Sequence, residues 1–173
     1  MSSTESASRE ATRRSDAEQF QRFKAGEDIG FSEWLTVTQQ MIDRFGEATL
    51  DPDPMHIDPV WAKSEGPYGG TIAFGFLTAS LLTYLLRSTM AWDAERSHAS
   101  HGYYMNYGFD RMRLVSPVPV GCRVRGRFRV LDVRAPDEAG RVVVKIDAVV
   151  EVEGQDRPAA VAEWLTVWIP PGQ

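Results

Sequence analysis

The segment from Ile72 to Leu86 is the most apolar part of the chain, and it leaves few folds open. A bilayer-spanning helix takes about 18 to 20 apolar residues. This run is shorter, and Gly75, Thr78, Ser80 and Thr83 interrupt it. A helix that is apolar on nearly every side, yet too short for a membrane, must be enclosed by other parts of its own protein. The rest of the sequence therefore has to supply something that wraps around it.

Periodicity identifies the wrapper. From Tyr103 onward the chain alternates apolar and polar residues between turn signals, which predicts strands at Tyr104 to Leu114, Cys122 to Val133, Arg141 to Glu153 and Pro158 to Ile169. In the third, Val142, Val144, Ile146, Ala148, Val150 and Val152 share one face. In the second, Arg123, Arg125, Arg127 and Arg129 share a face opposite Cys122, Val124, Phe128 and Val130. If these strands pair, matching their apolar faces sets odd-numbered residues opposite odd-numbered ones. One such register puts Arg127 against Asp147 and Arg123 against Glu151, so the arginine stripe is neutralised within the sheet and needs no phosphate ligand to explain it. A bound phosphate group is the alternative partner for those arginines. A buried helix and an antiparallel sheet make an α+β class, a single domain with a long central helix wrapped by the sheet. An open sheet has edges, and a second copy of the chain is the expected cover, giving a homodimer.

The 173 residues, 43% of them hydrophobic, suit one domain at residues 15 to 173 behind a tail at residues 1 to 14 that is too polar to pack. A formal charge of −5 gives no electrostatic reason to bind nucleic acid or an anionic membrane surface. The single cysteine, Cys122, lies on the apolar side of its strand and reads as a buried small hydrophobe. With no signal-like leader, the expected compartment is the cytoplasm. Neither a phosphate loop nor a dinucleotide fingerprint occurs, and no zinc-type motif is present, so the sequence points to no metal and no separate cofactor.

The front half carries the candidate chemistry. A short helix over Asp16 to Lys24, a strand at Trp34 to Val37 and a helix over Gln39 to Ala48 capped by Thr38 are expected, with Met41, Ile42, Phe45 and Ala48 as the helix's apolar stripe. Asp51-Pro52-Asp53-Pro54 must end that helix, because proline lacks a donor and pushes the preceding residue out of the α region. A rigid loop then holds Asp51 and His56, a carboxylate and an imidazole suited to proton transfer. A helical turn is expected between His56 and Ser64. The glycines of Gly66-Pro67-Tyr68-Gly69-Gly70 lead into the apolar helix, expected from about Thr71 to Arg87. Free N–H groups at a glycine-led helix start form a cradle for a substrate oxygen that gains negative charge. By spacing alone, Asp51 is equally a turn residue, His56 a surface histidine and the glycines a packing device. Ala91 to Gly102, with His98 and His101, reads as a loop connection.

Taken together, these segments carry a resemblance. Asp51-Pro-Asp-Pro-Met-His56-Ile-Asp58, Pro67-Tyr-Gly-Gly-Thr-Ile-Ala-Phe-Gly-Phe-Leu-Thr78, Asn106-Tyr107-Gly108 and Pro117-Val-Pro-Val-Gly121 resemble the MaoC-like hydratase/dehydratase family, and within it the branch that includes nodulation protein N. The resemblance spans roughly Phe31 to Ile169. It implies a hot-dog fold and (R)-specific addition of water to a trans-2-enoyl thioester, or the reverse dehydration. It also implies that Asp51 and His56 hold the water, that the N–H of Gly75 meets the thioester oxygen, and that Gly70, Thr71, Ile72, Phe74 and Asn106 contact an acyl-CoA or acyl-carrier substrate whose coenzyme A is part of the substrate. Two departures stand out. Phe74 occupies a position where the family commonly has His, and Asp53 one often filled by Asn. Two other readings remain open: a hot-dog thioesterase, although Ile72 to Leu86 lacks the carboxylate many such enzymes use, and an acyl-thioester binding module without turnover.

Overall fold

The computed structural model describes residues 23–90 and 102–172. The tail at residues 1 to 14, most of the helix expected over Asp16 to Lys24, and His98 and His101 with nearly all of their connection lie outside the described residues. Where that first helix ends, Lys24 is not helical. The described elements are β1 (Asp28–Phe31), β2 (Leu35–Thr36), α1 (Gln39–Thr49), α2 (Pro54–Ile57), α3 (Pro59–Ser64), α4 (Gly75–Ser80), α5 (Leu82–Thr89), β3 (Tyr103–Leu114), β4 (Arg123–Val133), β5 (Val142–Val152) and β6 (Ala160–Ile169).

Six antiparallel strands form one sheet in the order β1-β4-β5-β6-β3, with β2 also paired to β4. The four expected strands are all present. β1 is an addition: its four residues, Asp-Ile-Gly-Phe, show no alternation long enough to announce a strand, and they are recruited by pairing with Arg127 to Arg129. Alternation on β5 is as expected, with Val144, Ile146, Ala148, Val150 and Val152 buried. These side chains join Val124, Phe128 and Val130 of β4 and Leu82, Leu85 and Leu86 of α5 in the core cluster. The sheet thus closes over the apolar helix, as its composition demands. At the closest approach β4 carries Gly126. A Cβ there would sit 3.1 Å from Cβ of Leu85 and collide with the Phe128 ring, so only glycine lets helix and sheet come this close.

The register differs in detail from the expected one. Odd residues do face odd residues, but Arg125 stands opposite Glu151, Arg129 opposite Asp147 and Arg127 opposite Val149, a shift of two from the register read from the sequence. Face burial fixes only the parity of a register. The choice among registers of one parity falls to the connection between the strands and to the irregularity between Val130 and Asp132. Three of the four arginines are nevertheless paired: Arg123 with Glu153, Arg125 with Glu151 at 2.8 Å, and Arg127 with Asp147 at 3.9 Å, while Arg129 Nε donates to Gly26 O at 3.4 Å.

The central helix also needs correction. It begins at Gly75, not Thr71, continues to Thr89, and is divided at Leu81 into α4 and α5. Residues 71 to 73 are unavailable for helix because they pair with the turn before β4: Ala73 N donates to Val118 O at 2.8 Å, Val120 N donates to Thr71 O at 3.0 Å, and Ile72 bridges Pro119. At the division Leu81 keeps φ −68° and ψ −17°, and the bonds from Leu81 N to Leu77 O at 3.1 Å and from Leu85 N to Leu81 O at 2.9 Å carry the helical path across it. In α1, Ile42 and Gly46 are buried, whereas Ala48, expected in the apolar stripe, is exposed because the core contact ends one turn earlier. Cys122 is half-buried against the core. Among the described residues no helix is long and apolar enough to cross a membrane.

Candidate active site

Two Asp-Pro steps build the segment that carries His56. Asp53 caps α2, its Oδ1 accepting from Met55 N at 2.9 Å, and Pro54 takes the first helical position. Asp58 caps α3 in the same way, accepting from Val60 N and Trp61 N, each at 3.0 Å, ahead of Pro59. An aspartate cap followed by proline meets the free donors of a helix start and presets its first φ angle. This accounts for Asp53: its carboxylate is engaged in capping. The helical turn expected between His56 and Ser64 is two short helices, and His56 lies on the first.

His56 is held in three ways. Its Nδ1 lies 2.7 Å from the carbonyl oxygen of Ile72, and its ring stacks on Phe74 with centroids 3.9 Å apart. A carbonyl oxygen can only accept, so Nδ1 bears the proton and Nε2 of the neutral ring presents a lone pair. Its own carbonyl oxygen accepts from Gln39 Nε2 at 2.8 Å. Phe74 is buried, and its ring reaches back toward Gly46 and, with centroids 5.3 Å apart, toward Phe45. The residue that stands in place of a common family histidine is thus an apolar wall against which the imidazole packs, its plane tilted by 33°.

Asp51 follows directly on the end of α1. Leu50 ends α1 in the left-handed conformation, φ 58°, and Asp51 N returns to Gly46 O at 3.0 Å. The Asp51 Oδ1 accepts from Asp53 N at 3.2 Å. An apolar groove of about 540 Å³ opens here, lined by Asp43, Gly46, Glu47, Leu50, Asp51, Pro52 and Ile57. Asp51 and His56 are therefore on one loop, but their side chains hydrogen-bond to different partners, Asp53 N and Ile72 O.

The helix start completes the set. The first intrahelical bond of α4 runs from Thr78 N to Phe74 O, so the N–H groups of Gly75 to Leu77 have no partner within the helix. A Cβ on Gly75 would meet the side chain of Leu114, so a larger residue here requires that half-exposed side chain to move. Gly70 lies in open space, while Thr71 and Ile72 are buried. The structure thus brings His56, Thr71, Ile72, Phe74 and Gly75 together. Asn106 is not among them: it lines a separate cavity of about 280 Å³ with Phe76, Thr83, Phe109, Met112 and Trp164, and its Nδ2 reaches Thr83 Oγ1 at 3.4 Å. Sequence reasoning missed Gln39. Its Oε1 accepts from Thr71 Oγ1 at 2.5 Å, and Nε2 donates to Asp43 Oδ1 at 2.7 Å as well as to His56. Nothing about a glutamine after a helix cap signals such reach.

A helix enclosed by one antiparallel sheet, with a histidine-bearing loop set against the helix start, defines a hot-dog domain. A profile of the family described as MaoC like domain matches residues 20–152, and the chain belongs to that family. It is 44% identical over 144 residues to nodulation protein N of Rhizobium leguminosarum bv. viciae, covering 83% of this chain and 86% of the relative. It is 37% identical over 145 residues to 3-hydroxyacyl-thioester dehydratase Z of Mycobacterium tuberculosis, covering 84% and 91%. Among solved structures, the (R)-hydratase from A. caviae involved in PHA biosynthesis superposes with a TM-score of 0.63 at 19% identity, covering 84% of this chain and 97% of that one, a likeness of fold.

Proposed function

We propose that the protein is an (R)-specific hydratase/dehydratase of enoyl and 3-hydroxyacyl thioesters. The observation that carries this reading is the bond from His56 Nδ1–H to Ile72 O, which leaves Nε2 as a proton acceptor beside a helix start with free N–H donors. In the hydration direction the water oxygen bonds to Cβ of the enoyl group. The π electrons move onto Cα and the thioester oxygen, and the N–H of Gly75 stabilises that oxygen as its charge grows. His56 and Asp51 between them take one proton from water and return one to Cα, so the addition balances. The 3-hydroxyacyl-thioester dehydratase relative supports the substrate class, and the thioester's own carrier, coenzyme A or carrier protein, is the only group required beyond the chain.

The reading includes a second copy of the chain. Among the described residues β3 pairs only with β6, and Met105, Tyr107, Phe109 and Leu114 stand exposed along it, with Phe76 and Tyr84 exposed on the central helix. An open strand edge beside exposed aromatic groups favours a partner with the same edge. Light scattering should give twice the chain mass, and Tyr107→Arg with Phe109→Glu should reduce it to one; a wild-type monomer would refute the pairing.

The activity is tested by following hydration of crotonyl-CoA. Asp51→Asn and His56→Ala should each slow it by about 10²- to 10⁴-fold. Wild-type rates in both variants would overturn the assignment. Release of free thiol without hydration would assign a thioesterase instead, and binding without either product a non-catalytic module.

A further inference from the structure

We propose that Gln39 is a positioning residue: it ties the two segments of the candidate site together and thereby sets which tautomer His56 presents. The proposal rests on the function proposed above and extends it to a residue that touches no substrate.

The argument begins with the two segments. His56 comes from the Asp-Pro loop, and the Ile72 carbonyl that selects its tautomer comes from the stretch before α4. One backbone bond joins these stretches directly, Ile72 N to Met55 O, and at 3.3 Å it is long. Gln39 supplies the second connection. Its Nε2 donates to the carbonyl oxygen of His56 at 2.8 Å, and its Oε1 accepts from the hydroxyl of Thr71, the residue before Ile72, at 2.5 Å. The links close a ring: His56 main chain, Gln39 amide, Thr71, Ile72 carbonyl, His56 imidazole.

Chemistry orients the amide. The His56 carbonyl and the Asp43 carboxylate, 2.7 Å away, can only accept, so the NH₂ end faces them and the oxygen faces Thr71. Thr71 is 2% exposed and Gln39 is half-buried, so water substitutes poorly for a lost partner on the Thr71 side. Gln39 is itself placed by the first turn of α1, which Thr38 caps by accepting from Met41 N at 3.3 Å. Removing the amide or the hydroxyl loosens the His56 segment from the stretch that carries the Ile72 carbonyl, so Nδ1 drifts from that oxygen. The ring then samples the other tautomer, in which Nε2 bears the proton and cannot accept another.

The test reads the tautomer directly, by ¹⁵N NMR of histidine-labelled protein with the His56 signals assigned through His56→Gln. Wild type should show protonated Nδ1 and an unprotonated Nε2. Gln39→Leu and Thr71→Val should show mixed tautomers, while Thr71→Ser, which keeps the hydroxyl, should match wild type. Gln39→Glu keeps the acceptor for Thr71 but cannot donate to His56, and should behave like Gln39→Leu. On crotonyl-CoA, the first two variants should lower kcat about 10-fold with KM held within about twofold. Their double variant should be no slower than either alone, because both break one ring. Folded variants that retain the wild-type tautomer would overturn the positioning role, whatever their activity. A shifted tautomer in a protein that hydrates no enoyl thioester would leave the role standing and remove the function proposed above.

Discussion

The sheet and the site loop are organised on opposite principles. Across β4, β5 and β6 each strand is held by a ladder of pairings and a buried face, so position is shared among many weak constraints. Between Thr38 and Gly75, single hydrogen bonds place whole segments: Asp53 caps α2, Gln39 bridges to Thr71, and the Ile72 carbonyl holds His56. Stability resides mostly in the first region, and the candidate site in the second. A substitution that barely changes the melting temperature can therefore move the reacting groups.

The largest effect that would sharpen the contrast is expected in the sheet. Phe128 is fully buried at the centre of the core, and Phe128→Ala should cost about 3 to 5 kcal/mol of unfolding free energy, read by urea titration. Any enzyme that remains folded should retain its kcat. In the loop, Asp53→Ala removes the cap of the helix that carries His56 and should cost only about 1 kcal/mol. Its loss of kcat should exceed that of Phe128→Ala, and equal kcat in the two variants would break the comparison.

The smallest effect is electrostatic. Its hydrogen bond to Lys145 holds the Asp110 carboxyl below the usual range, and the hydrogen bond to Arg123 does the same for Glu153. A depressed folded-state pKa stabilises the protein above the ordinary carboxylate value of about 4, and that contribution is lost as pH falls through the depressed value. Lys145 is raised by its hydrogen bond to Asp110, so its contribution fades only at high pH, as pH rises through its folded-state pKa. Both carboxylates are solvent-exposed, so the acid-side slope of urea midpoint against pH should be shallow and flatten further in salt. A slope that salt leaves unchanged would contradict this account.

The same contrast explains what could be read from the sequence. The four long strands and the apolar helix repeat a period, and periods survive without coordinates. The parity of the β4–β5 register was legible for that reason, while the shift of two residues was not, since it depends on the irregularity near Leu131. β1 is four residues recruited by a neighbour, and the helix start moved to Gly75 because residues 71 to 73 bond a turn far along the chain. At the site, the local motif holds Asp51, His56 and the glycine-led helix start, all recognisable by resemblance. The bridge from Gln39 to Thr71 joins residues with no shared pattern, and Asn106 was grouped with the site by motif although it lines another cavity.

The backbone bonds between residues 71–73 and Val118–Val120 bear on how this protein can be cut or shortened. A fragment ending with β3 would contain every residue named in the candidate constellation and would still lack the strap that holds the stretch carrying the Ile72 carbonyl. Asp51, His56 and Gly75 lie within one stretch of the sequence, but the part that holds the stretch before α4 in place is synthesised later, so a nascent chain completes the candidate site only after the turn before β4 has emerged and docked.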